Sequence, residues 1–295
     1  MELQINKLTK HYGSKIAVDS FETTIGAGVH ALLGANGSGK TTLMRMLCDV
    51  LRPSGGRVSL DGTDITVMGE HYRELLGYLP QNFGYYPNFS GWDFMMYLAA
   101  LKGLPKITAV ERCEELLRLV GLFEVSKKKL KTYSGGMRQR IGIAQSLIND
   151  PKILILDEPT AGLDPKERTK FRNIISDLSA NRIILLSTHI VSDIEYVAND
   201  IIIMKQGRLA LRGDTGSICG AIQNSVWSCS VPPAAADKLK GEYIVSNLRH
   251  MGDQVELRIV ADEKPCENAF RIPPGLDDLY LYFFREDAAN ELNEI

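Results

Sequence analysis

No stretch of this 295-residue sequence approaches the roughly 20 consecutive apolar residues that a bilayer-spanning helix needs. The longest candidates, Phe94–Leu101 and Ile183–Leu186, are far too short. The opening residues, Met1 to Lys10, alternate charged and apolar side chains and lack the apolar centre of a signal peptide. An excess of either charge is also missing: 34 basic residues face 36 acidic ones, for a net charge of −2. A nucleic-acid surface would need a clustered positive excess, so no nucleic-acid partner is expected. The one dense basic run, Lys127, Lys128, Lys129 and Lys131, reads as a solvated loop or helix end. The five cysteines (Cys48, Cys113, Cys219, Cys229, Cys266) are scattered, odd in number and without C-x-x-C spacing. They argue against a metal centre or disulfide framework and fit a reducing compartment. No internal repeat or low-complexity segment stands out. These absences predict a cytoplasmic chain that reaches a membrane only through a partner.

What is present describes a globular protein. Hydrophobic residues make up 44% and charged residues 24%, and the length suits about two domains. Val29 to Leu33 reads as a short buried strand ending in a glycine-rich loop. A helix follows from about Lys40, with Leu43, Leu47 and Leu51 on one face. Ile153–Leu156 and Ile183–Leu186 read as buried parallel strands, being apolar without interruption. Between them Phe171, Ile174, Ile175 and Leu178 keep helical spacing. This is a phosphate-binding α/β core, with its polar residues just past strand ends, where open α/β sheets bind ligands. From about 83 to 147 helical patterns replace strands, notably Val110 to Val120, which predicts a helical insert. Beyond about residue 214 the character changes again. Val255–Ile259 alternates as a half-buried strand, and Leu276, Leu279, Tyr280, Phe283 and Phe284 form a helical stripe. The predicted division is a core domain over 1–213 and a small α+β appendage over 214–295.

Three motifs carry chemistry. Gly34-Ala-Asn36-Gly37-Ser38-Gly39-Lys40-Thr41 fits G-x-x-x-x-G-K-[ST], and Thr42 follows. Its glycines let backbone N–H groups wrap a phosphate chain at the positive end of the next helix. Lys40 should reach the β- and γ-phosphates, and the Thr41 hydroxyl should ligate Mg²⁺. Asp157 and Glu158 close the second strand, the first placed to hold the metal shell and the second to polarise an attacking water. On their own, two such carboxylates could equally begin a loop. In Tyr133-Ser134-Gly135-Gly136, Ser134 can cap the following helix while the glycines leave its amides bare, forming a second anion site.

Taken in order, these motifs with Gln81, Asp164 and His189 resemble the ATPase of ATP-binding cassette (ABC) transporters, over residues 1 to about 213. The resemblance implies a P-loop NTPase fold with the helical subdomain at about 83–147. It implies ATP and Mg²⁺ as ligands, with Thr41, Gln81 and Asp157 around the metal. It makes Glu158, His189, Gln81 and Lys40 the catalytic group, and places Tyr12 against adenine; a buried core tyrosine is the other reading of Tyr12. Ser134, Gly135 and Gly136 would contact the γ-phosphate held by a second, head-to-tail copy or homologous subunit. Asp164 matches the dimer-contact loop, yet Asp164, Pro165 and Glu167 also form a helix N-cap signature.

The same resemblance implies a separate transmembrane permease and a place on the cytoplasmic face of the membrane. The segment Leu276-Asp-Asp-Leu-Tyr-Leu-Tyr282 resembles the ending of bacterial ATPases that drive drug, lantibiotic or polysaccharide exporters. Phe83, Tyr85, Tyr86 and Phe89, just past Gln81, would either anchor the permease or pack the insert on the core. Soluble cassette ATPases of ribosomes and chromosomes, the other class in view, carry two cassettes or a long coiled coil. This sequence has one cassette and no heptad run.

Overall fold

The computed structural model describes residues 1–284 and forms two compact units, one from Met1 to Ala210 and one from Leu211 onward. The first unit opens with β1 (Leu3–Tyr12), β2 (Lys15–Ile25), β3 (Gly28–Leu33) and α1 (Lys40–Leu47). Then come β4 (Gly55–Leu60), β5 (Thr63–Asp64), α2 (Ile65–Met68), α3 (Glu70–Glu74) and β6 (Leu76–Leu79). Three longer helices follow: α4 (Gly91–Leu101), α5 (Lys106–Leu119) and α6 (Gly135–Ser146). The chain resumes with β7 (Ile153–Asp157), α7 (Pro165–Leu178), β8 (Ile183–Ser187), α8 (Val191–Ile194), β9 (Asp200–Lys205) and β10 (Arg208–Gly213).

The central sheet has the order β10-β9-β3-β8-β7-β6, with β3, β6, β7, β8 and β9 paired in parallel. Every residue of β7 and β8 is buried, which explains why both segments are apolar without alternation. Their register sets Asp157 opposite Ser187, and Leu32 opposite the same serine from the other side. Three strand ends therefore meet at one level, the carboxyl edge where doubly wound sheets bind ligands.

A second sheet, antiparallel and ordered β2-β1-β4-β5, was not legible in the sequence. Its strands pair with register shifts at Ile5, Leu8 and Lys10, and Lys7 adopts φ 45°. These bulges move Leu3, Ile5 and Leu8 onto the buried face at spacings of two and then three, so the alternation breaks. The helix after the glycine-rich loop also differs from expectation. It ends at Leu47, with Asp49 turning the chain at φ 55°; Leu51 packs on the core from beyond the helix. Ser134 caps α6, its hydroxyl accepting from the Met137 amide at 3.2 Å. Asp164 caps α7 by accepting from the Glu167 amide at 2.8 Å, with Pro165 in the first turn.

The second unit contains α9 (Thr215–Gly220), β11 (Val226–Val231), α10 (Pro233–Glu242), β12 (Ile244–Met251), β13 (Gln254–Val260), β14 (Phe270–Arg271) and α11 (Leu276–Phe283). Its sheet is antiparallel, β12-β13-β11-β14. On β13, Val255, Leu257 and Ile259 are buried and pack with Trp227, Ala236 and Leu239. Asp278, only 1% exposed, fastens α11 to the sheet. It accepts from Arg258 Nε at 2.9 Å, Arg258 Nη2 at 2.6 Å, Ser246 Oγ at 2.7 Å and the Gly275 amide at 2.7 Å. Burial alone would raise its pKa, but the Arg258, Gly275 and Ser246 hydrogen bonds hold the carboxyl below its ordinary value.

A carboxyl depressed in the folded state adds stability above its unfolded pKa, and that stability is lost as pH falls through the folded value. Asp278→Asn should therefore destabilise this unit by about 2–3 kcal/mol, a buried pair broken on one side with a partner that water reaches. Urea unfolding followed through Trp227 in a Trp92→Phe background should show the loss near neutral pH and a smaller difference in acid.

Candidate active site

The loop Gly34–Gly39 connects buried β3 to α1, and its shape depends on glycine at one point above all. Gly39 stands at φ 104° before α1, and a Cβ there would collide with the Ala17 carbonyl. Lys40, buried at the first position of α1, donates from Nζ to the Gly34 carbonyl at 2.6 Å and the Ala35 carbonyl at 3.1 Å. Burial lowers the pKa of this ammonium, while the charges of Glu158 and Asp157 act the other way.

At the end of β7 the two carboxylates have different surroundings. Asp157, 1% exposed, accepts from Ser187 Oγ through Oδ1 at 2.6 Å. Its second oxygen, Oδ2, is buried and has no hydrogen-bond partner among the described residues. An unpaired buried carboxylate oxygen is costly unless a cation or donor meets it. Glu158 sits at φ 52°, a left-handed conformation that costs a non-glycine residue about 1 kcal/mol or more. Surrounding bonds impose it: the Glu158 amide donates to Ser187 O at 3.2 Å and Ser187 Oγ at 3.0 Å, and its carbonyl accepts from Gln139 Nε2 at 3.3 Å. The Glu158 side chain, 8% exposed, meets His189 Nδ1 at 3.0 Å; the histidine is 55% exposed. A carboxylate accepts, so the proton of that bond resides on Nδ1.

Lys40, Asp157 and Glu158 line one open cavity of about 400 Å³ together with Tyr12, Lys15, Ala17, Asn36, Gly37, Gly39, Thr41, Thr42 and Gln81, and His189 stands outside that lining. Tyr12 is a surface residue, 46% exposed, with Lys10 Nζ 5.5 Å from its ring centre, and is no part of the core. Gly34 and Ser38 are buried in the loop's own frame. Ser134, Gly135 and Gly136 lie outside the lining of this cavity, at the start of α6. Sequence reasoning missed Lys15, Ala17, Ser187 and Gln139. Lys15 faces Tyr12 across the β1–β2 turn, and that hairpin was the sheet the sequence concealed. Ser187 could have been found as the serine directly preceding Thr188-His189 at a strand end.

The aromatic residues after Gln81 divide. A Cβ on Gly142 would collide with the Phe83 ring, so Phe83 packs against α6. Tyr85 meets Arg138, whose Nη1 donates to its hydroxyl at 3.3 Å. Tyr86 and Phe89 join Tyr97 of α4 with ring centres 4.9–5.9 Å apart, and Tyr86 and Tyr97 remain exposed.

An α/β sheet with a glycine-rich loop, a buried lysine and an aspartate–glutamate pair at its carboxyl edge defines a P-loop nucleotide hydrolase. Residues 19–161 match the ABC transporter family. An ABC transporter ATP-binding protein of Bacillus subtilis, YxlF, is 38% identical over 247 residues, 81% of this chain and 78% of its own length. The daunorubicin/doxorubicin resistance ATP-binding protein DrrA of Streptomyces peucetius is 34% identical, covering 76% of this chain and 68% of its own. The solved structure of an ATP-binding subunit of an ABC transporter superposes with a TM-score of 0.68 at 26% identity, covering 75% of this chain and 93% of that one. The chain belongs to the ATP-binding subunits of ABC transporters, and it is an ATPase.

Proposed function

We propose that ATP occupies the cavity between Tyr12 and Glu158 and is hydrolysed there to drive export through a separate membrane chain. The observation that carries this is the convergence of the phosphate loop, Tyr12, Gln81 and the Asp157–Glu158 pair on one cavity. Adenine stacks on exposed Tyr12, and the triphosphate lies along the amides of Gly37, Gly39, Lys40, Thr41 and Thr42. Asn36 borders the γ-phosphate end. The unpaired Asp157 Oδ2, with Thr41 and Gln81, suits Mg²⁺, which would neutralise phosphate charge. Lys40 exchanges its loop carbonyls for phosphate oxygens.

Glu158, held in place by Ser187 and Gln139, orients the attacking water and takes its proton as the new bond to the γ-phosphorus forms and the bridging P–O bond to the β-phosphate breaks, ADP leaving with that electron pair. His189 fixes the carboxylate through its Nδ1–H, and only as the imidazolium would it also present an Nε2–H donor to the γ-phosphate. Ser134, Gly135 and Gly136 complete the site from a second copy or a homologous subunit, consistent with their lying outside this chain's own cavity. Export is supported by DrrA, a relative named for drug resistance, and by the ending Leu276–Tyr282. On this reading the protein works at the cytoplasmic face of the membrane, attached through the permease, with residues 1–213 as the ATPase domain and 214–295 as an accessory domain. The exposed rings of Tyr86 and Tyr97 face the permease.

Glu158→Gln keeps the shape and removes the base; hydrolysis should fall by about two orders of magnitude or more while ATP binding survives. Near-parental turnover, measured by phosphate release, would remove Glu158 from this role. Mixing Lys40→Ala and Ser134→Arg chains, each inactive alone, should restore hydrolysis, because one composite site then carries neither lesion. Cross-linked mixed dimers that stay inactive with the permease present would refute the shared site. Tyr86→Ala with Tyr97→Ala should reduce co-purification with the permease from gently solubilised membranes at unchanged ATP binding. Undiminished co-purification would place the interface elsewhere.

A further inference from the structure

The first turn of α6 contains two glycines in different surroundings. Gly135 is open, with nothing within 4 Å of an added Cβ. Gly136 is closed in: a Cβ there would collide with Glu167 Oε2 and reach Leu163 at 3.4 Å. The carboxylate of Glu167, from the first turn of α7, thus lies against the positive end of α6. A negative charge is stabilised there by the helix, but it opposes any second anion approaching the same turn. The Glu167 side chain is only 20% exposed, so water screens it incompletely.

Its countercharge comes from the second turn of α6 itself. Arg140 Nη2 meets Glu167 Oε1 at 2.9 Å. Arg140 Nη1 in turn donates to the Val120 carbonyl at 2.9 Å and lies 3.4 Å from that of Gly121, which fixes the guanidinium from the loop after α5. Neighbouring arginines are committed elsewhere: Arg168 to the Leu163 carbonyl and Asp193, and Arg138 to Tyr85. Among the described residues, Arg140 is the cation paired with Glu167.

We propose that Arg140 is a positioning residue for the phosphate-binding turn of α6, neutralising the carboxylate that packs on Gly136 so that the amides of that turn keep their attraction for the γ-phosphate. This rests on the shared-site reading above. A mere cross-tie between α6 and α7 would need both partners equally; charge compensation does not. It predicts an asymmetry, in which losing the arginine leaves a bare carboxylate beside the phosphate, whereas losing both charges leaves none.

The full chain is tested as Arg140→Gln, Glu167→Gln and the double variant, by steady-state ATP hydrolysis and thermal melting. Arg140→Gln should raise KM for ATP about tenfold or more, the scale of an exposed partner charge at a desolvated site. Glu167→Gln should stay close to the parent, and the double variant should return KM to within about threefold of it. The Arg140→Gln defect, as a ratio to the parent, should also shrink with added salt. If Arg140→Gln does not fold, Arg140→Lys keeps the charge without the fork and should hold KM near the parental value. A double variant as impaired as Arg140→Gln, or a Glu167→Gln or Arg140→Lys defect of about tenfold, overturns the proposal in favour of a cross-tie. Failure of the Lys40→Ala and Ser134→Arg mixture to regain hydrolysis removes the shared-site reading and this inference with it, an outcome separate from the comparison of the Arg140 and Glu167 variants.

Discussion

The hydrogen bond from Ser187 Oγ to Asp157 Oδ1, 2.6 Å long and fully buried, joins the carboxyl ends of two parallel strands at the edge of the cavity. The same serine receives the Glu158 amide through both its hydroxyl and its carbonyl. With those bonds in place the chain can turn through φ 52° at a non-glycine residue and deliver a carboxylate to the cavity beside His189. On the proposed mechanism, the parallel register that sets residue 157 opposite residue 187 bears on catalysis as well as on packing. A slip by one residue would send Glu158 to the other face of the sheet.

Much of this was legible because the requirements are local. The uninterrupted apolar strands β7 and β8, the glycine-rich loop before Lys40 and the caps at Ser134 and Asp164 each depend on neighbouring residues. Chemistry of that kind survives in a linear sequence. The β1–β2–β4–β5 sheet did not, because bulges at Ile5, Leu8 and Lys10 erase the alternation by which half-buried strands are recognised. With that sheet went Lys15 and Ala17, which border the cavity across a turn from Tyr12. Ser187 and Gln139 were hidden differently. Both act on the backbone of Glu158, and a hydrogen bond to backbone leaves no pattern of residue types at its other end. The end of α1 was misjudged because Leu51 is apolar and in phase, although Asp49 has already turned the chain.

The two units rely on different devices. The first is built around a broad parallel sheet whose middle strands contribute almost nothing but aliphatic side chains. Among its described residues the second has a smaller cluster around Trp227, Leu257 and Ile259, and secures its last described helix with the ionic clasp of Asp278 and Arg258. A small apolar core supplies little surplus stability, so one well-made polar contact carries a larger share there.

Lys40 has a kinetic meaning beyond its charge. Its ammonium already sits among the carbonyls of Gly34 and Ala35, away from bulk water. The expense of stripping water from this cation is met when the chain folds, not each time a nucleotide arrives. Capture of a phosphate, as proposed above, is then an exchange of one set of oxygens for another. On the proposed mechanism a nucleotide therefore meets a cation already held among oxygens rather than one still wrapped in water.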